Sequence, residues 1–217
     1  MSSWPGKYAI GLTGNIATGK SLVRQMLEFL GAYGIDADAL AHETLALGAP
    51  GYQPVLDSFG EGILNQDRTI DRSILASVVF SDPDQLQRLE AIVHPLVGKQ
   101  INRLISSTQS DIFVIEAIKL IEAKLHKLCN TLWVTESPRE IQLERLKKSR
   151  HMSHAEAVQR ITAQSAQKEK VSIADLVIHN DGSITYTWEQ VLAAWKSIFP
   201  DSMPPLSLPE QFIKNNP

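Results

Sequence analysis

The feature that most constrains this chain is the segment Gly14–Ser21, which reads Gly-Asn-Ile-Ala-Thr-Gly-Lys-Ser and fits the pattern G-x-x-x-x-G-K-S. An apolar run ends just before it at Leu12, and the stretch Leu22–Leu30 after it has helical spacing. A strand, a glycine-rich loop and a helix in this order predict a phosphate-binding loop, because the loop's backbone N–H groups and the positive helix N-terminus face an anion.

The side chains at the end of this loop indicate which anion it binds. Lys20 is expected to reach the β- and γ-phosphates of a nucleotide, and the Ser21 hydroxyl is expected to bind Mg²⁺. A dinucleotide site would need glycines in the pattern G-x-G-x-x-G, and the glycines of this region do not fit it. The sequence therefore predicts a nucleoside triphosphate as ligand, rather than a nicotinamide cofactor.

The composition excludes several other classes of protein. The chain has 217 residues, of which 43% are hydrophobic, enough for one domain with lobes. A net charge of −3 gives no general attraction to nucleic acid or acidic membranes. A single cysteine, Cys129, excludes an internal disulfide framework. With no apolar stretch as long as a membrane span and no signal-peptide core in residues 1–7, we expect a cytoplasmic protein without nucleic-acid or membrane partners.

The order of elements predicts an α/β fold with a five-stranded parallel sheet flanked by helices. Short apolar runs alternate with helical patterns, as in such sheets. The predicted strands are residues 8–13, 34–37, 111–116, 130–135 and 174–179. We place the core at residues 8–38, 108–140 and 172–200 of a single domain, 1–200.

Two insertions and a tail complete the predicted organisation. Residues 39–107 look like helices broken by Pro50-Gly51, Pro54, Pro83 and Pro95, and they form a helical substrate lobe. Residues of about 141–171 form a small lid. Its helices begin at the predicted caps Ser137 and Ser153, and a basic hinge, 147–151, joins them. Residues 201–217, rich in proline, are interpreted as a tail that the core does not need.

Acidic residues follow two of the predicted strands. Asp36 and Asp38 end the second strand, where open α/β sheets place their ligands, but they fit a helix cap or a solvated turn equally well. Glu116 ends the third strand and fits a Mg²⁺-binding carboxylate, the alternative being an acid that starts a helix. A kinase needs such carboxylates to hold the metal and to orient an attacking hydroxyl.

Basic residues of the lid form a second candidate group. Arg145, Lys147, Lys148 and Arg150 fit a clamp on a transferring phosphoryl group, although such a run is more often a solvated helix face. His94-Pro95 separates two helical patterns, and His94 alone is typical of a structural residue. The turn Asn180-Asp181-Gly182 follows the last strand, where its backbone could line a base pocket.

Taken together, these residues resemble the dephospho-coenzyme A kinase family, a group with the P-loop kinase fold. Matching segments run from Ile10 to Gly182. They comprise the loop, Asp36-Ala37-Asp38, His94-Pro95-Leu96, Leu120-Ile121-Glu122, Gln142 to Leu146, Arg160-Ile161 with Gln164, and Ala174-Asp175 to Asn180 and Gly182. The loop is common to many families, whereas the other elements in this order are far more specific.

The resemblance implies an ATP- and Mg²⁺-dependent enzyme that phosphorylates the 3′-hydroxyl of the dephospho-coenzyme A ribose, the last step of coenzyme A synthesis. It implies catalytic roles for Asp38, as the base, and for Lys20 and Arg145. The implied nucleotide-binding residues are Gly14, Asn15, Ile16, Ala17, Thr18, Gly19, Lys20, Ser21, Leu22, Arg145, Asn180 and Gly182. The implied acceptor-binding residues are Asp36, Asp38, His94 and Lys119, and the implied metal ligands are Ser21, Asp36 and Glu116. We expect a monomer or weak homo-oligomer.

The chain departs from the family pattern at several positions. Glu116 replaces an aspartate and Lys119 a proline, and Leu22 stands where serine or threonine is common. The second arginine of the lid is displaced to Arg150, so that either Lys148 or Arg150 supplies its charge.

Three other classes of protein remain as alternatives. The nearest is another small-molecule or nucleoside monophosphate kinase. A GTP-dependent switch would need an Asn-Lys-x-Asp segment, which the sequence lacks. A non-catalytic coenzyme A-binding protein fits poorly with the intact Lys20, Ser21 and Asp38.

Overall fold

The computed structural model describes residues 4–202, 205 and 207–214. They form two compact units. The core unit comprises the chain up to Ile35 and from Ser110 on, and the helical unit comprises Asp36–Gln109. The predicted helical lobe, 39–107, falls inside the second of these units.

The core unit is built on a five-stranded, all-parallel sheet. Its strands are β1 (Tyr8–Thr13), β2 (Tyr33–Asp36), β3 (Ile112–Glu116), β4 (Thr131–Glu136) and β5 (Leu176–His179). Their order across the sheet is β2-β3-β1-β4-β5. The predicted strands are confirmed, each within two residues. Because β1 is central and pairs with both β3 and β4, the loop that follows it emerges in the middle of the carboxyl edge, where such sheets bind ligands.

The helices follow the chain in this order: α1 (Lys20–Phe29), α2 (Ala37–Thr44), α3 (Tyr52–Phe59), α4 (Arg72–Ser81), α5 (Pro83–Ser107), α6 (Arg139–Arg150), α7 (His154–Thr162), α8 (Gln167–Ser172), α9 (Ile184–Ile198) and α10 (Glu210–Lys214). The helices α2 to α5 lie in the helical unit, together with a 3₁₀ turn at Glu61–Ile63 and an antiparallel bridge between Leu64 and Ile70.

Each unit has its own apolar core. In the core unit, buried residues of β1, α1 and α9 pack together, among them Ile10, Met26 and Trp188. In the helical unit, α3 and α4 contribute Val55 and Val79 to a separate cluster. Burial of these apolar side chains is the main force that holds each unit together.

Pro95 does not end a helix, contrary to prediction. It lies inside α5, which runs unbroken for 25 residues. A proline at such a position removes one hydrogen bond of the helix. Val93 precedes it, Val97 and Ile101 follow, and all three are buried on one face. Burial of this face on both sides of the proline offsets the lost bond.

Two predictions about the segment after β4 are also wrong. Ser137 does not cap α6, which begins after Pro138 with no side-chain cap, because the Ser137 hydroxyl is bonded elsewhere. Residues 147–150 belong to α6, so the connection to α7 is limited to 151–153. The cap at Ser153 is confirmed as a capping box with Glu156.

The C-terminal tail, predicted as a segment that the core does not need, packs against the apolar cluster of the core unit. Phe212 is 5% exposed and belongs to the same apolar cluster as Trp188. Its ring stacks on Trp188 with centroids 6.3 Å apart and meets the edge of Phe29 at 6.1 Å. Leu208 of the same tail also packs against this cluster. The sequence carries no signal of the contact because few apolar residues provide it.

Candidate active site

The loop after β1 has the curled backbone that an anion cradle requires. Gly14 and Gly19 have φ values of 146° and 94°, and Ala17 also has a positive φ, 60°. Such values are strained for residues with a side chain, which explains the two glycines. Space is a second constraint, because a Cβ at Gly19 would lie 1.7 Å from the side-chain nitrogen of Asn180.

Lys20 is the first residue of α1, as the motif predicted. It is 7% exposed, and its Nζ donates to the backbone carbonyl of Asn15 at 3.2 Å. The ammonium group is thus held across the loop, beside the backbone N–H groups of the helix N-terminus. This arrangement concentrates positive potential inside the loop.

Ser21 and Glu116 lie side by side at the carboxyl edge of the sheet. The Ser21 hydroxyl donates to Oε1 of Glu116 at 3.0 Å, and Arg24 Nε donates to its Oε2 at 2.7 Å. Arg24 also pairs with Glu28, 2.6 Å away. Glu116 ends β3 and is 5% exposed. No helix starts there among the described residues, so the alternative of a helix-starting acid is wrong.

Arg145 connects α6 to the loop and to the segment after β5. Its guanidinium donates to the carbonyl oxygens of Ala17, at 3.1 Å, and Asn180, at 2.8 Å. It also donates to the Ser137 hydroxyl, which in turn donates to the Asn180 carbonyl. Burial lowers the pKa of Arg145, and the carboxylates of Asp181 and Glu144 oppose that shift. The group remains a cation, since an arginine side chain keeps its proton in proteins.

Asn180 and Gly182 lie directly after β5, as predicted. The Asn180 side chain donates to the carbonyl of Thr18 at 3.1 Å and accepts from Thr187 at 3.0 Å. Leu22, in contrast, packs its side chain against the apolar core.

Sequence reasoning missed three polar side chains that hold the loop. Gln164 and Gln167 accept hydrogen bonds from its backbone, and Ser137 joins it to Arg145. Gln164 was among the matching family segments, but nothing in the sequence indicated its partner. Ser137 was assigned to a helix cap because serine before proline is typical of one.

The other predicted residues lie at the start of α2, in α5, in the turn after β3 and in the C-terminal part of α6. Asp36 caps α2 by accepting from the Ala39 amide at 2.9 Å, and Asp38 lies in the first turn of that helix. His94 lies inside α5 of the helical unit. Lys119 lies, half-buried, in the turn that follows β3. Of the lid cations, Lys148 is exposed and pairs with Glu144 at 2.7 Å, while Arg150 is the exposed last residue of α6.

The donor set at Ser21 and Glu116 fits Mg²⁺. Within the described residues, no group of three or more His, Cys, Asp or Glu side chains could form an all-protein metal cage. Mg²⁺ rarely uses such a cage and binds instead through one or two protein oxygens, water and substrate phosphates. The adjacent hydroxyl and carboxylate oxygens supply that kind of site.

Comparison with known proteins agrees with this chemistry. A family model described as "Dephospho-CoA kinase" matches residues 8–186. The dephospho-CoA kinase of Carboxydothermus hydrogenoformans is 45% identical over 193 residues, covering 86% of this chain and 94% of that protein. No helix in the described part of the chain has the length and apolarity needed to cross a bilayer.

Two solved structures share the fold. A Thermus thermophilus protein superposes with a TM-score of 0.77 at 29% identity, over 91% of this chain and 98% of that one. The dephospho-CoA kinase of Campylobacter jejuni has a TM-score of 0.62 at 27% identity, over 91% of this chain and the whole of that one. The alternative of another small-molecule kinase is not favoured. With its P-loop kinase fold and a family match over most of its length, this chain belongs to the dephospho-CoA kinase family.

Proposed function

We propose that the contacts around Gly14–Ser21 are the catalytic machinery by which this chain phosphorylates dephospho-CoA with ATP. One observation carries the proposal: the Ser21 hydroxyl is bonded to the Glu116 carboxylate directly beside Lys20. A phosphate-binding cation and two oxygen ligands for a metal thus lie at one helix N-terminus. Phosphoryl transfer depends mainly on such positioning and charge stabilisation.

Lys20 and the loop backbone bind the ATP phosphates in this proposal. The N–H groups of the second half of the loop converge on the anion, and the lysine exchanges its bond to the Asn15 carbonyl for one to a phosphate oxygen. Leu22 contributes its backbone only, because its side chain packs on the core. Asn180 and Gly182 line the base.

Ser21 and Glu116 hold Mg²⁺, with Arg24 keeping the carboxylate in place. An ion held by these two residues would supply positive charge to neutralise the charge that develops on the phosphate oxygens. Arg145 adds charge stabilisation at the γ-phosphoryl group, which spreads negative charge over its oxygens during transfer. Its bonds to the Ala17 and Asn180 carbonyls orient the guanidinium beforehand.

The acceptor side of the proposal comes from the sequence resemblance. Asp38 takes the proton of the 3′-hydroxyl, because a neutral ribose hydroxyl is a poor nucleophile. Asp36 assists at the metal through its remaining acceptor capacity, and His94 and Lys119 bind the acceptor. We keep the expectations of a cytoplasmic location and of a monomer or weak homo-oligomer as part of the same proposal.

An assay of metal dependence tests the proposed site. Transfer from ATP to dephospho-CoA is followed as a function of Mg²⁺ concentration, and ³¹P NMR maps the product. We expect transfer to the 3′-hydroxyl. Glu116→Gln should raise the Mg²⁺ concentration for half-maximal rate by roughly tenfold, the lower end of the losses known for metal-supporting residues.

The matched control is Glu136→Gln, at the end of the neighbouring strand β4, where the carboxylate pairs with His179 instead. This variant should keep the wild-type Mg²⁺ dependence. An unchanged dependence in Glu116→Gln would exclude Glu116 as a metal ligand, and a product phosphorylated elsewhere would exclude the proposed acceptor chemistry. Sedimentation at assay concentration tests the oligomeric state.

A further inference from the structure

Two glutamine side chains after α7 hold the first half of the phosphate loop. The Asn15 amide donates to Oε1 of Gln167 at 3.0 Å, and the Ile16 amide donates to Oε1 of Gln164 at 2.7 Å. The Asn15 side chain also donates to the carbonyl of Ser165 at 3.0 Å. These contacts join residues about 150 positions apart in the chain.

The same half of the loop is seated by apolar contacts. Ile16 is 7% exposed and packs with Leu146 of α6 and Ala157 of α7. Met152 and Ile161 pack around this cluster. The phosphate loop is therefore fixed on its outer side by the segment 139–172.

The glutamines are themselves held in place. Gln167 donates through Nε2 to the Thr135 carbonyl at 2.9 Å, which connects the loop to β4. In the same segment, buried Lys170 donates to the Ile118 carbonyl and lies 3.3 Å from Glu122. Ile118 and Glu122 follow the strand that ends at Glu116, so the segment contacts both sides of the proposed ATP site.

These bonds decide which way the loop amides point. Asn15 and Ile16 are both buried. A buried N–H group without an acceptor costs free energy, so conformations in which these amides lack their acceptors are destabilised. With acceptors outside the curl, these two amides face away from it. Among the amides that follow, that of Thr18 donates to the Asn15 carbonyl at 3.3 Å. The others, with the N-terminus of α1, converge on the phosphates in the proposed complex.

We propose that Gln164 and Gln167 are positioning residues for the known reaction, which set the phosphate loop in its binding conformation before ATP arrives. The inference rests on the proposed binding of the ATP phosphates by this loop. Neither glutamine touches ATP in this proposal; each acts through the loop backbone. Without the two glutamines, part of the free energy of ATP binding is used to order the loop. The affinity for ATP therefore falls, while the affinity for the acceptor does not change.

The test uses methionine, which matches glutamine in length but accepts hydrogen bonds weakly. In Gln164→Met/Gln167→Met, at a temperature where circular dichroism shows the native fold, we expect KM and Kd for ATP to rise on the order of tenfold, as the loss of the two hydrogen bonds to the loop amides would give. KM for dephospho-CoA should stay within about twofold of wild type, since the positioned groups contact ATP only.

Gln190→Met is the matched control. Gln190 also bonds to backbone through both side-chain atoms, but its partners are His179, at 2.9 and 2.8 Å, and the Tyr186 carbonyl, at 3.2 Å. It should leave both KM values unchanged. Equal rises in the two KM values, or an equal effect of Gln190→Met, would show a general loss of structure and overturn the proposal.

Lys20→Ala separates this inference from the proposed function. If ATP binding is lost in Lys20→Ala but unchanged in the double glutamine variant, the phosphate site stands and the positioning role is wrong. If Lys20→Ala also binds ATP normally, the proposed phosphate site is wrong and the positioning role is excluded with it.

Discussion

The two units of this protein hold their polar side chains in different ways. Around the phosphate loop, hydrogen bonds join residues far apart in sequence, such as Ser21 to Glu116, 95 positions away, and Asn180 to Thr18, 162 positions away. In the helical unit, bonds such as those of Asp71 to Ser73 and of Tyr52 to Arg68 span 2 and 16 residues.

The difference shows where geometric precision is built into the molecule. Long-range bonds fix groups from several strands and helices relative to one another, which suits a site that must hold the transferring phosphoryl group. Local bonds shape individual helices and leave their arrangement to apolar packing. The substitutions below test whether catalysis depends on the residues with long-range hydrogen bonds and stability on the apolar packing.

Lys20→Ala should have the largest effect on turnover. The substitution removes the cation that faces the β- and γ-phosphates, and we expect a loss of roughly a thousandfold in kcat/KM for ATP. Steady-state kinetics measures the loss. The control Lys196→Ala, which removes an exposed lysine of α9, should leave kcat/KM almost unchanged. A near-normal rate in Lys20→Ala would show that catalysis does not depend on the residues joined by long-range bonds around the phosphate loop.

Asp38→Asn tests the chemical contribution of the helical unit. Asparagine keeps the shape of the side chain but cannot take a proton, and loss of a general base costs about 10²- to 10⁴-fold in rate. We expect single-turnover transfer to slow at least about a hundredfold while both substrates bind normally. Asp57→Asn, an exposed substitution in α3, is the control. An unimpaired Asp38→Asn would confine the chemistry to the core unit.

Arg145→Met should reduce kcat by roughly ten- to a hundredfold, with a smaller effect on the Kd for ATP. The reason is that its charge is needed most when negative charge spreads during transfer. Arg139→Met, which alters an exposed arginine at the start of the same helix, should retain activity. A change confined to ATP binding would make Arg145 a ground-state anchor.

Phe212→Ala should affect stability and leave catalysis nearly unchanged. Removing a buried phenylalanine ring costs about 3 kcal/mol of the free energy of unfolding. Urea unfolding followed by tryptophan emission reports on the core unit, which contains all four tryptophans of the sequence. Ile173→Ala, at a half-exposed side chain, should cost less than about 1 kcal/mol. Equal losses in the two variants would show that the tail does not contribute to the core.

The sequence predicted features whose signals are local. The strands appear as continuous apolar runs because the parallel sheet is covered on both faces, and the loop appears because its glycines serve a backbone requirement. Glu116 was found from its place at a strand end. These properties depend on residues a few positions away in the chain, so they can be predicted from a single sequence.

The errors come from partners that are remote in sequence. Ser137 has the residue type of a cap, but Asn180 and Arg145 compete for its hydroxyl. Pro95 has the residue type of a helix breaker, but the buried face of α5 outweighs it. The residues next to Gln164 in the sequence give no sign of its role. Its partner, the Ile16 amide, comes close to it only in the folded chain. No local pattern records such tertiary contacts.

The bonds between the glutamines and the loop have a consequence for solvent exchange. The amide protons of Asn15 and Ile16 are hydrogen-bonded to side chains of the protein itself. Hydrogen–deuterium exchange at these two positions therefore reports opening of the contact with the segment 139–172, since an amide exchanges when its bond opens. Addition of ATP should slow exchange chiefly at the amides after Ile16. One loop thus contains two sets of amide protons, one that responds to the protein and one that responds to the ligand.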